Sequence, residues 1–71
     1  MSFVHESALL LGEVIIEEGC WIGYNSAIIA NNIDLVIGKN SIVSANTVVT
    51  KSFPEYSKLI GIPARNIASV L

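Results

Sequence analysis

The chain has 71 residues, of which 52% are hydrophobic and 14% charged, with a formal net charge of -2. Such apolar content excludes a disordered chain, and four scattered Lys and Arg are too few for a nucleic-acid-binding stripe. No apolar run nears the ~20 residues that cross a bilayer, and no basic segment precedes an apolar one at the N-terminus as in a signal peptide.

One small domain over 1–71 is therefore expected, with no nucleic-acid and no membrane partner. The single cysteine, Cys20, cannot form an internal disulfide and fits a reduced, cytoplasmic setting. A domain this small buries only about 60% of its unfolded surface. Its apolar excess points to contact with other chains.

Along the chain, the first periodic elements are aliphatic residues six apart: Val4, Leu10, Ile16, Ile22 and Ile28. After a gap of nine residues, Ile37, Val43 and Val49 resume the same spacing. The gap is one hexad plus three extra residues, placed near 31–34, where Asn31-Asn32 suits a corner bulge. Two residues before most of these aliphatics lies a small or β-branched residue: Ala8, Val14, Cys20, Ser26, Ser41, Thr47. Residues two apart on a strand point to one face, so each hexad supplies one small and one larger inward residue. Gly12, Gly19, Gly23, Asn25, Gly38, Asn40 and Asn46 fill the intervals, as tight corners require.

A helix would repeat near 3.6 residues, so the period of six points instead to short strands joined by corners. Three hexads make one coil of about 18 residues in a three-faced solenoid. Equivalent inward residues should then stack. Val4, Ile22 and Val43 form one column; Leu10, Ile28 and Val49 the second; Ile16 and Ile37 the third. Coils are expected over about 4–52, with a tail over 53–71 that leaves the coil and caps one end. Nothing evident caps the other end.

Charge is uneven. Residues 1–34 carry Glu6, Glu13, Glu17, Glu18 and Asp34 without Lys or Arg, whereas the remainder carries Lys39, Lys51, Lys58 and Arg65 against Glu55. The C-terminal half is thus suited to a small anionic ligand.

Four motifs occur in order over 16–67: Cys20-Trp21-Ile22-Gly23-Tyr24-Asn25-Ser26, Ile37-Gly38-Lys39-Asn40-Ser41, Val43-Ser44-Ala45-Asn46-Thr47-Val48-Val49-Thr50-Lys51 and Gly61-Ile62-Pro63-Ala64-Arg65. Together they resemble the hexapeptide-repeat acyltransferases and look nearest to the sugar and polysaccharide O-acetyltransferase branch. Serine acetyltransferases share much of the pattern. The resemblance covers what is usually the C-terminal part of the family's domain. It implies an all-β fold: a single-stranded left-handed parallel β-helix, here of about two and a half coils with an irregular C-terminal tail. The left hand comes from the resemblance and runs against the usual crossover rule.

The resemblance further implies a homotrimer, acetyl-CoA as acyl donor and a sugar or other small hydroxyl acceptor. Some relatives bind zinc through three histidines at a subunit interface, but with one histidine per chain no metal is expected here. By motif position, Ala45 meets the pantetheine arm and Tyr24 lines the same groove. Thr50 and Lys51 meet the nucleotide end, and Arg65 pairs with its phosphates, since Lys and Arg complement phosphate. Trp21 points outward by alternation, where it either lines the acceptor pocket, as the resemblance implies, or is buried in a subunit interface. Cys20 falls on the inward small series as a core filler. The family's base is a histidine, whose pKa suits proton removal near neutrality. The one candidate is His5, with Glu6 or Glu13 available to orient it. Three hypotheses follow: a minimal acyltransferase, a CoA-binding or structural oligomer without an acceptor site, and a C-terminal fragment of a longer acetyltransferase, serine acetyltransferase-like enzymes included.

Overall fold

The computed structural model describes residues 2–68, and the elements below belong to that span. The six-residue repeat becomes very short strands separated by corners. The chain lays down β1 (Phe3–Val4), β2 (Leu9–Leu11) and β3 (Val14–Ile16). It returns over them with β4 (Trp21–Ile22), β5 (Ala27–Ile29) and β6 (Leu35–Ile37), then with β7 (Ile42–Val43) and β8 (Val48–Val49). β9 (Lys58–Ile60) and β10 (Arg65–Asn66) follow.

Coil lies on coil through parallel pairing. β1, β4, β7 and β9 make a first face, β2, β5 and β8 a second, and β3 and β6 a third. The register pairs Val4 with Ile22 and Ile22 with Val43 on the first face. It pairs Leu10 with Ile28 and Ile28 with Val49 on the second, and Ile16 with Ile37 on the third. These are the three columns expected from the spacing. Ile22, Ile28, Ile37, Val43 and Val49 are fully buried, each contributing about 1.5–3 kcal/mol of transfer free energy.

The small inward series fills the space beside the columns. Leu35, paired with Val14, belongs to it too and is fully buried. The polar members bond to corner carbonyls: Cys20 Sγ to Gly38 O at 3.1 Å, Ser26 Oγ to Gly23 O at 2.8 Å, and Ser41 Oγ to Pro54 O at 3.2 Å. Cys20 is thus a core residue. The extra residues 31–34 form an exposed bend between the second and third faces, with Asn32 at φ 61. β5 and β6 keep their register on either side of it.

The stacking does not stop near residue 52. Phe53 bridges Ile37, and β9 pairs in parallel with β7, setting Leu59 on Val43. The coil end expected near 52 therefore moves to Ile60. A search at period six misses this stretch because Leu59 follows Val43 by sixteen residues rather than eighteen. Only then does the chain reverse, at Gly61 (φ 102), into β10 antiparallel to β9. The segment over 61–64 lies across β8, with Val48 N donating to Gly61 O and Ala64 N to Val48 O. At the opposite end, among the described residues, the core positions Val4 and Leu10 are 39% and 41% exposed. Among the described residues no helix is long and apolar enough to cross a membrane.

Two positions depart from the rule that each corner and core site suits its residue. Thr47 is fully buried, and its Oγ1 finds no partner among the described residues. An unpartnered buried hydroxyl costs about 1–3 kcal/mol, so Thr47→Val is expected to raise the unfolding free energy by about 1 kcal/mol in urea titration. The corner before the first face stacks Gly19, Asn40 and Tyr56, all left-handed, at φ 82, 58 and 60. Tyrosine carries the Cβ penalty that glycine lacks and asparagine tolerates, roughly 1–2 kcal/mol. Tyr56 is exposed, so Tyr56→Asn is expected to stabilise by up to about 1 kcal/mol, read as a higher urea midpoint.

Candidate functional site

The corner between the first and second faces gathers the chemically capable residues. The register that stacks Val4, Ile22 and Val43 also stacks Ser7, Asn25 and Asn46 there. Asn25 and Asn46 take left-handed φ of 55 and 60. Asn25 N donates to Ser7 Oγ at 2.7 Å, Asn25 Nδ2 to Asn46 Oδ1 at 2.8 Å, and Asn46 N to Tyr24 O at 2.9 Å. A polar ladder therefore runs from coil to coil along this edge.

Beside the ladder lies an aromatic platform. Phe3 and Trp21 are paired neighbours on the outer side of the first face, their rings stacked at 5.7 Å and 22°. His5 stands edge-on to Phe3 at 6.3 Å and to Tyr24 at 5.3 Å. Trp21 and Tyr24 remain 48% and 56% exposed. Large exposed aromatics gathered in one patch suit contact with a ligand or another chain rather than a core. The structure thus brings together three expected site residues, His5, Trp21 and Tyr24.

Among the described residues His5 is held by Ser7 rather than by Glu6 or Glu13. The Ser7 backbone N–H donates to His5 Nδ1 at 3.1 Å, and the Ser7 hydroxyl lies 2.9 Å from the same nitrogen. Neither Phe3 nor Ser7 stood out in the sequence. Both had a signal: Phe3 precedes Trp21, and Ser7 precedes Asn25, by one coil of eighteen residues.

Ala45 lies one coil beyond Tyr24 on the same corner. It is exposed, and among the described residues no acceptor takes its backbone N–H. Gly23 keeps this corner slim, since a Cβ there would sit 2.8 Å from Val43 O. Thr50 and Lys51 occupy the next corner, between the second and third faces, with Lys51 Nζ 5.6 Å from the Phe53 ring centroid. Arg65 begins β10, exposed and paired with Ile60. Within one chain, therefore, Thr50 and Lys51 do not share a corner with Tyr24 and Ala45. Among the described residues no group of three or more His, Cys, Asp or Glu is placed to hold a metal ion.

No protein-family model matches the sequence. A search of curated proteins finds dTDP-3-amino-3,6-dideoxy-alpha-D-galactopyranose 3-N-acetyltransferase of Aneurinibacillus thermoaerophilus, 44% identical over 54 residues, covering 76% of this chain and 27% of that protein. Among solved structures, a serine acetyltransferase in complex with CoA superposes with a TM-score of 0.82 at 31% identity, over 93% of this chain and 28% of that one. The chain belongs to the hexapeptide-repeat acyltransferases. Its coils form the family's left-handed parallel β-helix. The serine acetyltransferase of Neisseria gonorrhoeae shares the fold, with a TM-score of 0.69 at 23% identity. The chain spans about a quarter to a third of the length of these relatives.

Stacked aromatic pairs contribute about 0.5–1.5 kcal/mol beyond area burial. A double-mutant cycle with Phe3→Leu and Trp21→Leu is expected to show that coupling in urea unfolding. A coupling near zero would mean that the two rings do not stack in solution.

Proposed function

We propose that the chain forms the acetyl-CoA-binding part of an acetyltransferase that works as a homotrimer on a small, sugar-like acceptor. The observation that carries this reading is the superposition, over 93% of the chain, on a serine acetyltransferase holding CoA. The curated relative supplies the second support, since it acts on an amino sugar linked to a nucleotide.

The trimer gives separated residues a common task. Tyr24 and Ala45 sit on one corner, Thr50 and Lys51 on another. A groove between two copies takes one corner from each, so residues too far apart in one chain line a shared groove in the assembly. The outer faces are suited to burial against such neighbours: Leu9 and Leu11 on the second face and Ile15 on the third are about half exposed. Packing copies together removes this apolar area from water.

In that groove the unpartnered Ala45 N–H meets the amide-bearing pantetheine arm, beside Tyr24. Thr50, Lys51 and Arg65 take the anionic nucleotide end, where a charge-assisted hydrogen bond is roughly twice as strong as a neutral one. The thioester then points toward the platform of Trp21, Phe3 and His5. Trp21 offers a flat apolar surface for the acceptor, and His5 is the titratable side chain beside the reacting atoms. The sequence resemblance points to a hydroxyl acceptor; the curated relative acts on an amino group.

Hydrogen bonds to charged groups contribute about 1.5–3 kcal/mol. Lys51→Ala and Arg65→Ala are each expected to weaken CoA binding about tenfold to a hundredfold, measured calorimetrically, with little change in urea stability. Native mass spectrometry should show a trimer that takes up to three CoA. A monomer that ignores CoA would sink the reading, and CoA binding without transfer to any acceptor would leave a non-catalytic CoA-binding oligomer.

A further inference from the structure

The outer side of the first face ends, at its C-terminal edge, in two cations that the fold sets side by side. Lys58 lies between buried Ser57 and buried Leu59, so it points outward, and Ile60, two residues on, does the same. Arg65 pairs with Ile60 across the antiparallel ladder. Directly paired residues share a side of the sheet, which puts Arg65 on the outer side too. Ile67 stands opposite Lys58, its backbone N–H donating to Lys58 O at 2.8 Å. Lys58 and Arg65 are therefore diagonal neighbours, about 7–8 Å apart at the backbone and within reach of each other's long side chains.

Like charges on neighbouring strands repel, and here no acid relieves them. The outward positions around the pair are Ile42, Ser44, Ile60 and Ile67. Glu55, the one acid in this half of the chain, sits at the preceding corner. Among the described residues neither the Lys58 nor the Arg65 side chain makes an ion pair or a hydrogen bond. Both cations are thus free to meet an anion from outside.

Building on the acetyl-CoA reading, we infer that Lys58 joins Arg65 in a site for a phosphate monoester, the ribose phosphate that CoA carries and dephospho-CoA lacks. Such a group carries about -1.5 to -2 charges at neutral pH and three terminal oxygens. The arginine fork takes two oxygens side by side, and the lysine ammonium, a point charge, takes the third. The place also fits. Ser44 N donates to Leu59 O, which brings Ile60 level with Ser44, and Arg65 lies one strand beyond. A donor arm that climbs the edge from Tyr24 past Ala45 therefore arrives at Arg65, with Lys58 beside it. Ile60, 45% exposed between the two cations, offers apolar surface to the nucleoside. Thr50 and Lys51, on their separate corner, are left for the diphosphate. Lys58 belongs to none of the four motifs, so this role rests on the pairing of β9 with β10.

Calorimetric titration of the full chain with CoA and with dephospho-CoA tests the site. CoA is expected to bind about tenfold more tightly than dephospho-CoA. Lys58→Gln is expected to weaken CoA by about the same factor and to leave dephospho-CoA binding unchanged, which also shows that the variant is folded. Lys58→Arg should keep the preference for CoA. Lys39→Gln removes a cation at the corner between the third and first faces and should move neither affinity. Equal affinity for the two ligands overturns the monoester site while the acetyl-CoA reading stands. So does a Lys58→Gln loss that both ligands share, or one that Lys39→Gln reproduces. Binding of neither ligand overturns the acetyl-CoA reading and the monoester site with it.

Discussion

No coil of this protein has a core of its own. A single turn of three short strands encloses a handful of inward side chains with nothing above or below them. Burial comes only when the next coil sets its own Ile or Val on the same column, as Ile22 does on Val4 and Val43 on Ile22. The parallel backbone ladder enforces that registration, because a slip of one residue would turn every inward side chain outward. Each corner must therefore consume a fixed number of residues, and left-handed asparagine or glycine makes that fit. The architecture is one-dimensional, with each coil stabilised by its neighbours.

The two ends differ for this reason. At the C-terminal end, Leu59 extends the first column, and the reversal at Gly61 brings Ala64 over the second face, so Leu59 and Val49 are fully buried. At the N-terminal end nothing in the described residues covers β1, β2 or β3, and Val4 and Leu10 show core side chains to solvent. The aromatic platform stands on that first coil. Phe3 and His5 depend on β1, whose strand partner among the described residues is β4. The platform of Phe3, His5 and Trp21 thus rests on the least supported coil, and Ala45, Thr50 and Arg65 on better supported ones.

The ladder also explains how distant residues become one site. Ser7, Asn25 and Asn46 are eighteen and twenty-one residues apart, yet they touch in sequence along one edge because coil stacking converts the repeat into distance. The corner that secures the turn is the same corner that fixes His5. Its Ser7 bonds both to the imidazole and to the next coil.

The sequence determined the columns by itself. Period six, with small residues two places ahead, admits only one inward set, and the three-residue insertion could be located because the register resumed unchanged after it. It also marked His5, Trp21, Tyr24, Ala45, Thr50, Lys51 and Arg65 as residues of interest through their motifs. Tertiary structure decided what periodicity cannot carry. Leu59 joined the core after a shortened coil, since a corner can change length while the ladder above it does not. Phe3 and Ser7 entered the site because a neighbour eighteen residues away in sequence is adjacent in space. The orientation of His5 was settled by a serine rather than by Glu6 or Glu13, because a hydrogen bond depends on where the backbone points an N–H at a corner, and composition holds no record of that direction.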